Sequence, residues 1–460
     1  MTSSLPEIPL AEIVTIKGGK RLPAGKNLQS IPSKHPYIRV RDVGQRSLAR
    51  EGIEYVPDDV FPSISRYIVQ RNDVVLSIVG TIGALSIVDS FYDYASLTEN
   101  CVKLTGLDYY DALYLYYYLS SSIGQQEISQ GTVGAVQPKL PIYNIEKIKV
   151  LWPDDKDRRK RIAAVLGKLD DKIDLNRRIN QTLEAMAQTI FKSWFVDFDP
   201  IKARIAAKQE GRDPLRAAMG VISGKTDAEL DQLPPEQYQQ LAATAALFPD
   251  EMVDSELGEI PRGWEVQPAE TLSEVGIGKT PPRKEPQWFT EGEGDWRWVS
   301  IKDMGASGVF LQRSSEFLTA EAVSRFNVRV VPDRTVLLSF KLTIGRVAIT
   351  DGPMVTNEAI AHFKLTSNAK FSSEYLYLYL KSFDYSTLGS TSSIADAVNS
   401  KTIREMPITV ASSAIIERFT KSVSPLFEEM KNRQNEIVSL VSTRDALLPK
   451  LLSGELKVAA

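Results

Sequence analysis

The chain matches itself, and this constrains its architecture more than any other feature. Six short stretches recur in the same order at an offset of about 260 residues. Gly19-Lys20-Arg21-Leu22-Pro23 resembles Gly278-Lys279-Thr280-Pro281-Pro282, and Tyr37–Val43 resembles Trp298–Met304. Val74–Ser77 with Thr81-Ile82-Gly83 resembles Val336–Ser339 with Thr343-Ile344-Gly345. Lys103-Leu104-Thr105 resembles Lys364-Leu365-Thr366, and Leu113-Tyr114-Leu115 resembles Leu376-Tyr377-Leu378. Ala135–Lys139 resembles Ala397–Lys401. Collinear matches at so long a period exclude a solenoid and indicate a duplicated domain.

Each copy has one plan. Short runs rich in Val, Ile and aromatics, punctuated by Gly, Pro and Asp, read as strands. Val74–Val88 reads as strand, Gly-containing turn, strand. An apolar helix follows, over Ala112–Ile128 and Glu374–Phe383, and then a Ser/Thr/Gly-rich loop. The Tyr and Leu residues of Tyr109–Leu119 read as core.

The end of each copy changes period. Ile162, Leu166, Leu169, Ile173, Asn176, Asn180, Leu183, Ala187, Ile190 and Trp194 alternate steps of four and three, the seam of a coiled coil. Ile416, Phe419, Val423, Leu426, Met430, Arg433, Ile437, Leu440, Arg444, Leu447 and Leu451 do nearly the same. A helix of about 38 residues is ~57 Å long. Two such stripes bury their apolar faces most economically against each other. Asn176 and Asn180 interrupt one seam, Arg433 and Arg444 the other. They are register-fixing polar residues, or the register shifts there. Pro425 should kink the second helix or mark its start. The segment 198–258, with Pro214, Pro234-Pro235 and Pro249, reads as a connector of marginal structure containing a short helix at Leu241–Leu247.

Catalytic motifs fail on context. Gly276-Ile277-Gly278-Lys279-Thr280 lacks the earlier glycine of a phosphate loop, because Ser273 stands there. Asp154 with Asp170-Asp171-Lys172 mimics a metal nuclease signature, but the second group falls on a helix and reads as a solvated face. No Asn-Pro-Pro-Tyr/Phe or Asp-Pro-Pro-Tyr signature of amino methylation occurs. His35 and His362 fit no Ser/His/Asp pattern. One cysteine, Cys101, excludes an internal disulfide framework and fits a reducing cytoplasm. No apolar run approaches a membrane span, and Met1 opens no secretory signal. The chain reads as a binder. Lys and Arg number 55 against 58 Asp and Glu, a net charge of −3, which alone argues against nucleic acid.

Two related domains held apart by fixed-length helices form a ruler for a linear ligand, and DNA is the ligand for which spacing carries information. At this point the residues resemble the DNA-specificity subunit of type I restriction–modification systems. The resemblance rests on Tyr37–Val43, Val74–Ser77 and Thr81-Ile82-Gly83, on the Gly131–Pro138 loop, and on Phe191–Pro200 (Phe-Lys-Ser-Trp-Phe-Val-Asp-Phe-Asp-Pro). It rests also on Gly258-Glu259-Ile260-Pro261-Arg262-Gly263-Trp264 and on Leu447–Leu456. It spans essentially the whole chain. The N-terminus departs from it in lacking the Gly-Trp lead.

The resemblance implies an α+β fold: two duplicated α/β target-recognition domains separated by two long helices in an antiparallel coiled coil. The expected parts are recognition domain 1–153, helix 154–197, connector 198–258, recognition domain 259–411 and helix 412–460. Each domain would read half of a bipartite, asymmetric double-stranded DNA site, and the helices would set the gap. Two modification subunits would bring S-adenosylmethionine and methylate adenine. Two motor-nuclease subunits would bring ATP and Mg. This cytoplasmic, non-catalytic chain would bind none of these cofactors and no membrane. Candidate DNA contacts are polar loop residues: Lys20, Arg21, Arg41, Gln137 and Lys139, then Lys279, Thr280, Lys302, Asn399 and Lys401. Lys and Arg suit phosphate or guanine, and Gln and Asn suit adenine. The Gly131–Pro138 and Ser390–Asn399 loops are the expected groove-entering segments. A dimeric protein-interaction scaffold with a coiled-coil spacer and an enzyme with an unrecognised site are the competing readings.

Overall fold

The computed structural model describes residues 6–367, 369–388 and 398–458. The chain divides into two compact units, Met1–Leu175 with Glu436–Ala460, and Asn176–Asn435.

The first unit contains β1 (Thr15–Gly18), β2 (Pro36–Ile38), β3 (Val74–Ser77), β4 (Leu85–Ile87), β5 (Ser96–Leu97) and β6 (Cys101–Thr105). β1, β6, β3 and β4 form an antiparallel sheet in that order, while β2 pairs with β5 in parallel. β3 is buried on both faces, which is why it reads as a continuous apolar run. Val74 and Leu76 pack toward helix α1 (Tyr109–Ser120), and Val75 packs on the opposite face with Ile38 and Tyr92. The α1 tyrosines are core, with their hydroxyls satisfied: Tyr114 donates to the Leu151 carbonyl at 2.7 Å and Tyr118 to that of Lys149 at 3.1 Å. The helix expected to continue to Ile128 breaks at Ser121, which caps a second helix, Ser122–Gly131. A Cβ on Gly124 would collide with the end of α1, so only glycine permits this close turn. Helix α2 (Lys156–Phe195) follows.

The second unit repeats the plan with β7 (Glu274–Ile277), β8 (Trp296–Val299), β9 (Val336–Ser339), β10 (Val347–Thr350), β11 (Val355–Thr356) and β12 (Ile360–Lys364). β7, β12, β9 and β10 form the sheet in order, extended by Phe310–Leu311, and β8 pairs with β11 in parallel. The duplication reaches single hydrogen bonds. Ser77 Oγ accepts from the Ala84 N–H at 2.9 Å, and Ser339 Oγ accepts from the Arg346 N–H at 3.0 Å. On helix α3 (Ser373–Ser382), Tyr375 and Tyr379 donate to the Thr409 and Pro407 carbonyls, as Tyr114 and Tyr118 do on α1.

Helix α4 (Ser413–Ser453) runs through Pro425, which is therefore not its start. Within each unit the stretches of α2 and α4 run antiparallel. In the first, Ile162, Ala163 and Leu166 share a core with Leu448, Leu451 and Leu452, and Arg444 Nη1 donates to Asp170 at 2.8 Å. In the second, Arg433 Nη1 donates to the buried Asn176 at 3.1 Å, and Asn180 donates to the Met430 carbonyl at 3.2 Å. The polar seam residues thus pair with the facing helix. Asp170 is not on a solvated face as expected. It is buried, because the Tyr117 hydroxyl donates to it at 2.6 Å from α1 while Arg444 holds its other oxygen.

The connector also differs from expectation. It folds as helices Asp199–Gln209, Pro214–Ser223, Asp227–Asp231 and Pro235–Ala246 around Ala218, Met219, Leu230 and Ala245. The aromatics of Phe191–Pro200 explain that motif. Trp194 packs edge-on to Phe248 at 5.1 Å, and Phe195 and Phe198 flank Trp264 at 5.6 and 5.5 Å.

Candidate nucleic-acid interface

The antiparallel order of the first sheet brings four chain segments to one end. Gly19 follows β1, and its N–H donates to the Cys101 carbonyl at 3.1 Å. Ile78 follows β3 and donates to Asn100, just before β6, at 2.8 Å. Leu140 then donates to Ile78 at 2.9 Å, and Lys139 bridges both Val79 and Val133. Lys20, Arg21, Gln137 and Lys139 are thereby gathered at one end of the sheet. A Cβ on Gly19 would strike the Leu97 and Thr98 carbonyls, so glycine is required for this close packing.

The second unit rebuilds the same end. Gly278 donates to Ile360 at 3.1 Å, Lys279 to Thr356 at 2.9 Å, and Phe340 to Ala359 at 3.0 Å. Lys279 and Thr280 thus stand where Lys20 and Arg21 stand. The ring beneath is equivalent too. Tyr37 Oη donates to the Lys20 carbonyl at 3.0 Å, and Trp298 Nε1 to that of Lys279 at 3.4 Å.

These side chains are not equally available. Among the described residues Lys20, Lys139, Lys279 and Lys302 make no ion pair and are exposed. Gln137 is exposed on the hairpin tip. Arg21 donates to Glu99 at 2.6 Å, and Thr280 donates to Glu358, the matching carboxylate of the other copy. Partial burial works against the Glu99 charge, yet the Arg21 guanidinium and backbone donors hold its pKa below the usual carboxylate range. This carboxylate pair is missing from the sequence-based expectations; its signal is the acidic residue two positions before β6 and, again, two positions before β12.

Arg41 and Lys302 occupy a different feature. They lie not in loops, as expected, but on short helical turns, Arg41 in the 3-10 helix Val40–Asp42 and Lys302 in the helix Ile301–Ala306, where Asp42 and Asp303 accept from the Arg39 and Ser300 N–H groups that cap them, at 2.8 Å in each case. Arg41 leans on the Gly52 carbonyl at 3.3 Å and on Glu54 at 3.6 Å. Asn399 caps helix Ser400–Arg404, accepting from Lys401 and Thr402 N–H at 2.9 and 3.1 Å, and Lys401 lies 3.7 Å from Glu405. The rest of the Ser390–Asn399 loop, apart from Val398, lies outside the described residues. Arg283, not foreseen, stacks on Phe289 and Trp298 at 4.2 and 4.4 Å and forks onto Glu316 at 2.6 and 2.9 Å. It is a structural cation.

The weak phosphate-loop match is part of β7 and opens no helix. Among the described residues no group of three or more His, Cys, Asp or Glu is placed to hold a metal ion. No described helix is long and apolar enough to cross a membrane.

Duplicated sheet-end sites and paired heptad helices define a two-copy specificity architecture. The family model for the type I restriction modification DNA specificity domain matches residues 6–185 and again 261–447, so the chain belongs to that family. The HindI specificity subunit of Haemophilus influenzae is 34% identical over 334 residues, covering 69% of this chain and 71% of that protein. The MjaIX specificity subunit of Methanocaldococcus jannaschii is 23% identical over 90% of this chain and 83% of its own length. The crystal structure of a type I restriction–modification S subunit from M. genitalium shares the fold with a TM-score of 0.50 at 14% identity, covering 98% of this chain and 97% of that one.

Proposed function

We propose that this chain is the non-catalytic specificity subunit of a cytoplasmic type I restriction–modification assembly. It reads a bipartite, asymmetric site in double-stranded DNA, one half with each unit, and the length of its helix pair sets the gap. Two modification subunits dock on it, hold S-adenosylmethionine and methylate adenine N6; two motor-nuclease subunits supply ATP- and Mg-dependent restriction. The carrying observation is that two diverged copies of one strand-end loop cluster, each with lysines free of ion pairs, lie in one chain with two long continuous helices. Lys20, Arg21, Gln137 and Lys139, with Lys279 and Thr280, are the proposed first contacts; Arg41, Lys302, Asn399 and Lys401 are proposed flanking ones.

The test is the methylome of a host expressing the chain with its methyltransferase partner. A two-part adenine-methylation motif dependent on this gene is expected. Exchanging residues 1–150 for those of a relative should change one half only, and lengthening or shortening the heptad helices should change only the gap. A motif untouched by the exchange would defeat the assignment.

A further inference from the structure

Among the described residues the two most exposed large apolar side chains are Val136, 95% exposed, and Leu342, 92%. A single exposed leucine is ordinary on a protein surface. This one is not, for three reasons. First, Leu342 has φ +61°, a left-handed conformation that branched side chains rarely adopt, and its counterpart in the first copy is Gly80 at φ +82°. The second copy therefore carries a large apolar group where the first relaxes the same turn with glycine. Second, both exposed tips lie at the sheet end already described. Leu342 is in the turn between β9 and β10, and Val136 caps the hairpin whose Lys139 bridges Val79, in the turn between β3 and β4. Third, each tip has a cation close by in the chain, Lys341 directly before Leu342 and Lys139 three residues after Val136.

We propose that Leu342 is an apolar base contact: it enters a groove of duplex DNA and packs on base surface while neighbouring lysines meet phosphates. In the first unit, where the matching turn carries Gly80, Val136 takes this role from a different loop. An apolar side chain can contact the thymine methyl or wedge at a base step. The inference rests on the DNA-reading function above and adds a specificity residue to it.

The experiment uses the full chain assembled with its modification subunits. Affinity is measured at one salt concentration for a duplex carrying the motif and for one lacking it. Leu342→Gly suits the left-handed backbone, so its thermal midpoint should not fall. Its ratio of specific to non-specific affinity should drop by about tenfold, the scale of one mismatched base pair, with non-specific affinity unchanged. Leu342→Met should retain most of the ratio. An unchanged ratio for Leu342→Gly, or equal losses on both duplexes, would overturn the proposal. A wild-type complex that fails to discriminate at all would overturn the DNA-reading function on which it rests.

Discussion

His362 shows how a single residue reports on its surroundings. It lies in β12, between β7 and β9, with Nε2 2.5 Å from Thr356 Oγ1 and Nδ1 without a hydrogen-bond partner. Burial, followed by the charge of Arg329, pushes its pKa down to about 3. The folded pKa is below the unfolded one, so the neutral ring's contribution is complete above pH ~6.5 and is lost as pH falls toward 3. The extra loss should approach ~1.4 kcal/mol per pH unit. His362→Leu removes the titration and leaves Thr356 Oγ1 the Asn357 carbonyl as acceptor. Between pH 6 and 4 the variant should therefore lose stability less steeply than wild type, by about one proton's worth. Urea unfolding followed by tryptophan fluorescence reads this, because Trp194, Trp264, Trp288, Trp296 and Trp298 all lie in the second unit. Parallel slopes would show that His362 is solvated or charged in the fold. That this histidine sits neutral in a sheet core was not readable from the sequence, because β12 pairs with strands distant in the chain.

At the scale of elements, the heptads were legible because their period is local and long. What lies across the seam was not. Asp170 stands beside seam position Leu169, and nothing in α2 alone distinguishes it from the exposed Asp171. Its burial depends on Tyr117 in α1 and Arg444 in α4. The connector departs from expectation for a different reason. A proline-rich composition suggests marginal structure, whereas Pro214 and Pro235 each open a helix, where the missing N–H costs nothing. The seam gives a direct test. Arg444→Met leaves the Asp170 carboxylate buried with one donor fewer, which should cost about 2 kcal/mol, since the Arg444 side chain is still 27% exposed and water screens part of the pair. Asp170→Asn in the same chain should recover much of that. A thermodynamic cycle should return a coupling of about 1 kcal/mol or more, whereas strict additivity would mean the pair contributes nothing.

For the whole molecule, the net charge of −3 argued against a nucleic-acid ligand. That sum counts cations already spent inside the protein, such as Arg21 on Glu99, Arg46 on Asp171, Arg159 on Asp111 and Arg283 on Glu316. It equally counts carboxylates that such pairs neutralise. What we propose a phosphate would meet is local: Lys20 and Lys139 in one unit, Lys279 and Lys302 in the other, exposed and free of ion pairs among the described residues. The duplication made Lys20 and Lys279 the most legible of these, because the same glycine-lysine step recurs in both halves. Their availability needed the fold, which decides which cation has a carboxylate beside it. Each phosphate neutralised on duplex DNA contributes about −0.9 to the slope of log affinity against log salt. Four such lysines contribute a slope of about −4 for the isolated chain, so binding should be weak at physiological salt and tighten as salt is lowered. Replacing Lys20 or Lys279 by Ala should make the slope shallower by about one, with little effect on base preference. Binding titrations across a salt series measure both quantities. Tight binding that ignores salt would place the affinity in apolar or base contacts of the isolated chain, and the lysines would then not be its phosphate contacts.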